Sequence, residues 1–406
     1  MRKRIPAIAG ILAVLFLFAF PFTYRGSDYD YLMHLWITAL FYAILASSWS
    51  LLAGYAGQFS FGHMAFMALG AYATGLFSNY VYLASAPTNI CTEFKLGGTY
   101  LIFLDPLGVT TAKQTCLDLA KATWSGEVVL TQPSIFWGIL LGILLGGVFG
   151  FLIGALVLRL RAAYLALFTI GFSEILRATI SAEIPFTRGQ AGLEVPPLFR
   201  DGITVFGTTF SAANKVPPYF VMLLLFLVCM AIMLWLERSR FGLFMRSLRE
   251  DEEAAAALGV NTVRYKIMVF VITSTMAAAA GAVQAHYIGI ISPNILILLQ
   301  MSLVIAMAVI GGLESVVGAA VGAVIISFTL ELLRTSVVIG SITIDMSIWR
   351  LVVFGLLLML TLRFWRNGLI HPMLLWFSRA GVREETVAKR TAAVADAAPG
   401  NTEEPA

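Results

Sequence analysis

Ten apolar runs, most of them near the length that crosses a lipid bilayer, limit what this chain can fold into. They lie at 5–22, 32–53, 59–79, 136–158, 162–180, 218–236, 267–290, 295–310, 315–335 and 348–364. In hydrocarbon a backbone must pair its own N–H and C=O groups, so a run of about 20 apolar residues has to be a helix. The runs do not alternate polar and apolar residues, which excludes a closed barrel. Charged residues make up 12% of the chain, against roughly 25% in a soluble domain. The expectation is an all-α polytopic membrane protein with about ten transmembrane helices. The first run follows Met1-Arg2-Lys3-Arg4 as in a secretory signal. Pro21-Phe22-Thr23-Tyr24 offers no small-residue cleavage site, so it reads as an uncleaved first helix.

Basic residues set the orientation. With the N-terminus inside, the inner segments carry seventeen lysines and arginines and the outer segments seven. That bias predicts N-in, C-in. The short turn holding Arg159 and Arg161 and the N-terminus weigh most, because long loops translocate largely regardless of charge.

One inner segment is far longer than a turn needs to be. Residues 238–266 form a charged island with Arg238, Arg240, Arg246, Arg249, Arg264 and Lys266 around Glu250, Asp251, Glu252 and Glu253. Ala254 and Ala255 open an alanine run that ends at Gly259, where a helix C-terminus would sit. A short helix over about 247–262, held at the membrane surface for a partner, is the functional reading. A solvated loop is the plain one.

Two outer loops are long, residues 80–135 and the polar, proline-bearing residues 181–217. Residues 80–135 hold TYLIFLDPLG and GEVVLTQP, each a short strand beside a turn, which suggests a small hairpin insertion. They also hold Cys91 and Cys116. If the loop faces an oxidising compartment, a Cys91–Cys116 disulfide is one reading, and two free thiols are the other. From Glu384 the tail has nothing to bury and is expected to be disordered. The domain expectation is therefore a membrane domain over 1–383, carrying the 80–135 insertion and the 238–266 segment, and a tail over 384–406.

The chain lacks the parts of an enzyme or a motor. Its four histidines have no metal-ligand spacing. No Gly-Lys pair occurs, so there is no P-loop for ATP. No cofactor is expected. Two glycine-interrupted places stand out instead. Gly54 to His63 separates the second and third runs, with Gln58, Ser60 and His63 as its polar groups. Gly311-Gly312-Leu313-Glu314 separates two short runs near the C-terminus, and Glu314 reads as a cap for the next helix. Such interruptions are the usual pointer to a transport site; tight hairpins with packing hydrogen bonds are the structural alternative. Glu174 with Arg177, and Glu331 with Arg334, have i, i+3 spacing and read as local ion pairs, a pore-facing Glu174 being the alternative. Gln284, His286 and Tyr287 read as a polar and aromatic rim at a helix end.

Several stretches together resemble one family. GQFSFGHMAFMALGAY, RLRAAYLALFTIGFSEILR, RFGLFMRSLREDEEAAAALGVNTVRYK, GAVQAHYIGIISP and IGGLESVVGAAVGA are similar to segments of branched-chain amino acid ABC transporter permeases of the LivM type. The resemblance covers about residues 32–79 and 136–336. Four features depart from it: Glu314 stands where the family usually has glycine, Arg188 and Ala191 replace small and acidic or amide residues, the 80–135 loop is long, and the C-terminal tail has no counterpart in the resemblance. The resemblance implies a subunit of a binding-protein-dependent importer in the bacterial inner membrane. It implies a second related permease, two cytoplasmic ATPases that bind the ATP, and an extracytoplasmic solute-binding protein. It places ATPase coupling on Arg249, Glu250, Asp251, Glu253, Ala254, Ala255 and Gly259. The expected pathway residues are Gln58, Ser60, His63, Gly311 and Gly312. Urea, short amides or another small solute are alternative cargoes in the wider family. An ion-driven secondary transporter is the alternative from a different class, and Glu174 is its one strong candidate.

Overall fold

The computed structural model describes residues 4–23, 29–83, 94–96, 99–103, 130–131, 133–157, 162–200, 202–205, 208–212, 214–334, 337–339, 342–344, 346–364 and 368. Each of the ten apolar runs is a helix. These are α1 (Arg4–Thr23), α2 (Tyr29–Ser50), α3 (His63–Asn79), α4 (Ile135–Val157), α5 (Ala162–Ala182) and α6 (Val216–Arg238). Two helices of the island follow, α7 (Arg240–Glu250) and α8 (Glu252–Ala257). The last four are α9 (Thr262–Ile288), α10 (Leu298–Gly311), α11 (Val316–Leu332) and α12 (Met346–Phe364). Among the described residues five helices are long and apolar enough to cross a membrane, or six if α10 and α11 form one broken span. At about 1.5 Å per residue, the 14 residues of α10 fall short of a roughly 30 Å hydrocarbon layer.

α2 and α9 run through the centre and are buried along most of their length. Glycine sets the packing around them. α4 buries Gly138, Gly142, Gly146, Gly150 and Gly154 on one face. Its opposite face exposes Trp137, Leu140, Leu144, Phe151 and Leu156. A glycine every four residues is a flat stripe along a helix, and it lets backbones approach closely. A Cβ on Gly142 would meet the Gly70 carbonyl of α3, and one on Gly146 would run into Ala278 of α9. Gly70 and Gly281 in turn press on Ala278 and Met67, so α3, α4 and α9 form one close-packed group.

The end far from α7 and α8 is tied by polar contacts. His286 is buried, bonded through Nε2 to Thr74 Oγ1 (2.8 Å) and through Nδ1 to the Pro196 carbonyl (2.7 Å). Tyr287 pairs with His34 at 2.7 Å. The expected rim is thus an internal tie that fastens the 183–215 segment to α2, α3 and α9. Antiparallel pairing of Leu193–Glu194 with Ile290–Ile291 adds to it. In the insertion, Tyr80–Leu83, Phe94–Leu96, Thr99–Phe103 and Leu130–Thr131 build a four-stranded antiparallel sheet. Cys91, Cys116 and the tail from 384 lie outside the described residues.

Candidate functional site

The two glycine interruptions meet at the end of the bundle that carries α7 and α8. In the first, α2 runs into a π-helical turn at Leu51–Tyr55, and the chain then bends at Gly57, whose φ is 67°. Side chains hold this bend. Trp49 Nε1 donates to the Ser60 carbonyl at 2.8 Å. Ser48 Oγ and His63 Nε2 are 2.8 Å apart. The Phe61 N–H donates to Thr169 Oγ1 of α5 at 3.0 Å, and the Gly62 N–H to Ser60 Oγ at 3.2 Å. Gln58 differs. Its side chain is buried, and neither amide atom meets a hydrogen-bond partner among the described residues.

The second interruption is held by backbone and glycine. α10 ends at Gly311, Gly312 takes a φ of 122°, and α11 leaves at 118° to α10. Ser315, not Glu314, caps α11: its Oγ accepts the Gly318 N–H at 3.0 Å. A Cβ on Gly311 would strike the Gly318 carbonyl, and one on Gly322 would strike Gly311 and the Met307 carbonyl. Gly368 sits against Gly312 in the same way.

Three elements lock one interruption to the other. Ser47 Oγ donates to the Val316 carbonyl at 3.0 Å, and Ser50 Oγ to the Leu313 carbonyl at 2.8 Å. Gly54 lies directly against Leu313, where any side chain would collide with the carbonyl. The Ser50 hydroxyl meets a carbonyl in the turn between the helices, a group that would be costly to bury alone, and the Ser47 hydroxyl adds a bond to the first carbonyl of α11. The signal for them was visible as a Ser-Ser-Trp-Ser run inside an apolar helix, although its partners lie some 265 residues away in sequence.

The third element comes from the island. Arg249 of α7 donates through Nη1 to the Gly54 carbonyl (2.6 Å) and through Nη2 to Glu314 (2.5 Å). Its stem lies against Gly57. Arg246 stacks over the Tyr55 ring at 5.0 Å. Beyond Glu250 the helix expected over 247–262 is in fact two. Asp251 leaves helical geometry (φ −155°, ψ 107°), and its carboxylate accepts the N–H groups of Glu253 and Ala254 at 3.0 Å. An N-cap aspartate stops one helix and starts the next. α8 then ends in a glycine turn: Val260 N–H reaches the Ala255 carbonyl at 3.1 Å, and Gly259 has a φ of 86°. Ala255 is buried, whereas Glu250, Glu253, Ala254 and Leu258 are exposed, Leu258 at 86%. Lys266 pairs with Glu252 and fixes the base of the projection.

Glu174 is bonded to Arg177 in the expected i, i+3 pair. Glu331 likewise pairs with Arg334. Among the described residues no three metal-ligating side chains gather.

The family described as "Branched-chain amino acid transport system / permease component" matches residues 31–362. The chain is 32% identical over 216 residues to the high-affinity branched-chain amino acid transport system permease protein LivM of Salmonella typhimurium, covering 48% of this chain and 51% of that one. It is 34% identical over 159 residues to LivH of Escherichia coli, covering 39% and 50%. It is 30% identical over 128 residues to the fructose import permease protein FrcC of Rhizobium meliloti, covering 30% and 35%. The chain spans about half the length of the curated relatives it matches most extensively. No solved structure matches it. A family match over most of the chain, on a bundle of apolar helices broken twice at one end, means that the chain belongs to the branched-chain amino acid transport permeases, a family of transporters and not of enzymes.

Proposed function

We propose that this chain is the permease subunit of an ABC importer in the bacterial inner membrane, and that it forms half of a pathway for branched-chain amino acids or a similar small solute. The reading rests chiefly on the match over residues 31–362. It has the N-terminus, α7 and α8 in the cytoplasm, as the basic residues favour. A second related permease supplies the other half of the pathway. Two ATPases bind the ATP, and an extracytoplasmic binding protein delivers the solute.

The projection of α8 suits an ATPase contact. It is short, capped at both ends, acidic at its start and tipped by exposed Leu258. Charge and one apolar anchor on a rigid helix are what a groove can grip. The pathway is assigned to the wall around Gln58, Ser60 and His63 and the break at Gly311-Gly312. Its supporting observation is the buried Gln58 amide without a partner, because a polar group in that position is paired or faces water. Ser60 and His63 spend their polar atoms on the bend itself, so they shape the wall. An ion-driven carrier is disfavoured, since its one candidate acid, Glu174, is held by Arg177.

The test is uptake in the parent cells. Replacing Ala255 and Ala256 with proline removes backbone donors of α8. Uptake of labelled leucine should fall to background while the protein remains in the membrane, and urea and fructose uptake should be unaffected. Leucine uptake at the normal level in that variant would contradict the reading.

A further inference from the structure

We propose that Arg249 is a positioning residue that holds the two helix breaks together, so that movement of the surface segment opens them. The proposal deepens the functional reading above and rests on it for its biological meaning. Its geometry stands separately.

The reasoning starts from the end of α2. The π-helical turn carries the Gln58 N–H back to the Leu52 carbonyl. The Gly54 carbonyl is taken by Arg249. A carbonyl at a helix C-terminus carries partial negative charge, and a guanidinium there is favoured. The same guanidinium reaches Glu314 in the second break with its other terminal nitrogen. One planar fork therefore spans both breaks, which a lysine's point charge cannot do. The two contacts are unequal. The Gly54 contact is partly buried, whereas Glu314 is largely exposed, and an exposed ion pair is worth little in water. The Gly54 contact thus anchors Arg249 firmly to the first break, and the Glu314 contact is the weaker link, the one that reaches the second break and gives way first.

The position of Arg249 makes it a lever. It lies two residues before Asp251, the cap that starts α8. Its neighbour Arg246, one turn back on α7, is stacked on Tyr55 of the same π-helical turn. Met245 and Leu248 bury the rest of this face of α7. A pull on α8 is transmitted through Asp251 to Arg249, and from there to Gly54 and Glu314 without any flexible loop between. Gln58 lies four residues beyond Gly54, with Gly57 against the Arg249 stem. Parting of the breaks should therefore expose Gln58 first.

The experiment reads that exposure directly. A Gln58→Cys variant of the full chain, in native membranes with its partner subunits, is labelled by a small aqueous thiol reagent, with the parent chain as background. Labelling at position 58 should be slow. Adding Arg249→Ala should speed it by about tenfold or more, the factor that one charge-assisted hydrogen bond carries. Arg249→Lys, which reaches only one acceptor, should give an intermediate rate and serves as the reading if the alanine variant is missing from the membrane. Glu314→Gln should change the rate less than Arg249→Lys. Arg264→Ala, with no contact to either break, should leave it unchanged. Equal rates with Arg249, Lys and Ala would overturn the proposal, as would a rate raised equally by Arg264→Ala. The labelling needs neither solute nor ATP. Normal leucine uptake in the α8 proline variant would therefore remove the importer reading and leave this result standing.

Discussion

The two breaks turn the chain at the same end of the bundle by different means. Between Tyr55 and Gly62 the turn is held by side chains: the Trp49 indole, the Ser48–His63 pair and the Thr169 hydroxyl. Between Gly311 and Ser315 it is held by backbone packed on backbone, with Gly318, Gly322 and Gly368 filling the space that side chains would need. Hydrogen bonds made by side chains can be exchanged one at a time for water or for new partners, each worth about 1 kcal/mol net. Glycine contacts have no such graded response, because a single added carbon meets carbonyl or Cα atoms that cannot move alone. By these contacts the first break is the more adjustable of the two and the second the stiffer.

The largest effect should come from the fixed break. Gly322→Leu forces a side chain into Gly311 and the Met307 carbonyl. It should cost about 3 kcal/mol or more and remove most of the monodisperse protein extracted from membranes. Gly171→Leu is the matched control, because a Cβ there meets open space. Its melting temperature in detergent should stay near that of the parent. Equal damage from both would mean that helix propensity or lipid contact, and not the break, sets the result.

A smaller loss is expected at the adjustable break. Trp49→Phe keeps an aromatic ring but a smaller one, and leaves the buried Ser60 carbonyl without its donor, the lost hydrogen bond alone costing about 1–3 kcal/mol. Folding should survive, with a lower melting temperature. A loss as complete as that of Gly322→Leu would erase the distinction between the breaks.

The smallest effect on stability should be that of Gln58→Leu. Its amide has no protein partner among the described residues, so the exchange removes an unpaired polar group from a buried place. The melting temperature should hold or rise slightly while uptake falls. A drop matching that of Trp49→Phe would show that Gln58 is a structural hydrogen-bonding residue.

Some of this was legible in the residues and some was not. The helical, apolar character of the chain follows from its apolar runs, because lipid leaves the backbone no other way to pair its polar groups, whereas five or six of the described helices are long and apolar enough to span, not ten. Gly259 was legible as a helix stop, since its alanine run has nowhere else to end. The acidic-to-alanine pattern alone predicts one helix through Asp251, although an aspartate two residues before a backbone N–H that it can accept also fits a cap. The glycine stripe of α4, every fourth residue from 138 to 154, was present in plain sequence and needed only to be read as a face. The contacts of Ser47, Ser50 and Arg249 were out of reach. They join residues 65 to 269 positions apart, and no local pattern encodes a partner at that distance. Glu314, a carboxylate beside the Gly311-Gly312 pair, was the one visible hint of a charged contact at the second break.

The central claim is that the two breaks separate when the transporter works. Cysteines at Ser50 and Leu313, whose side chain and carbonyl now meet at 2.8 Å, can be joined by a short bis-methanethiosulfonate, which links the two thiols through reducible disulfides, in membranes containing the whole transporter. The account predicts that the joined protein takes up no labelled leucine and that reduction restores uptake to the level of the uncrosslinked double variant. Undiminished uptake by fully crosslinked protein would show that the breaks stay together throughout transport, and would contradict the account.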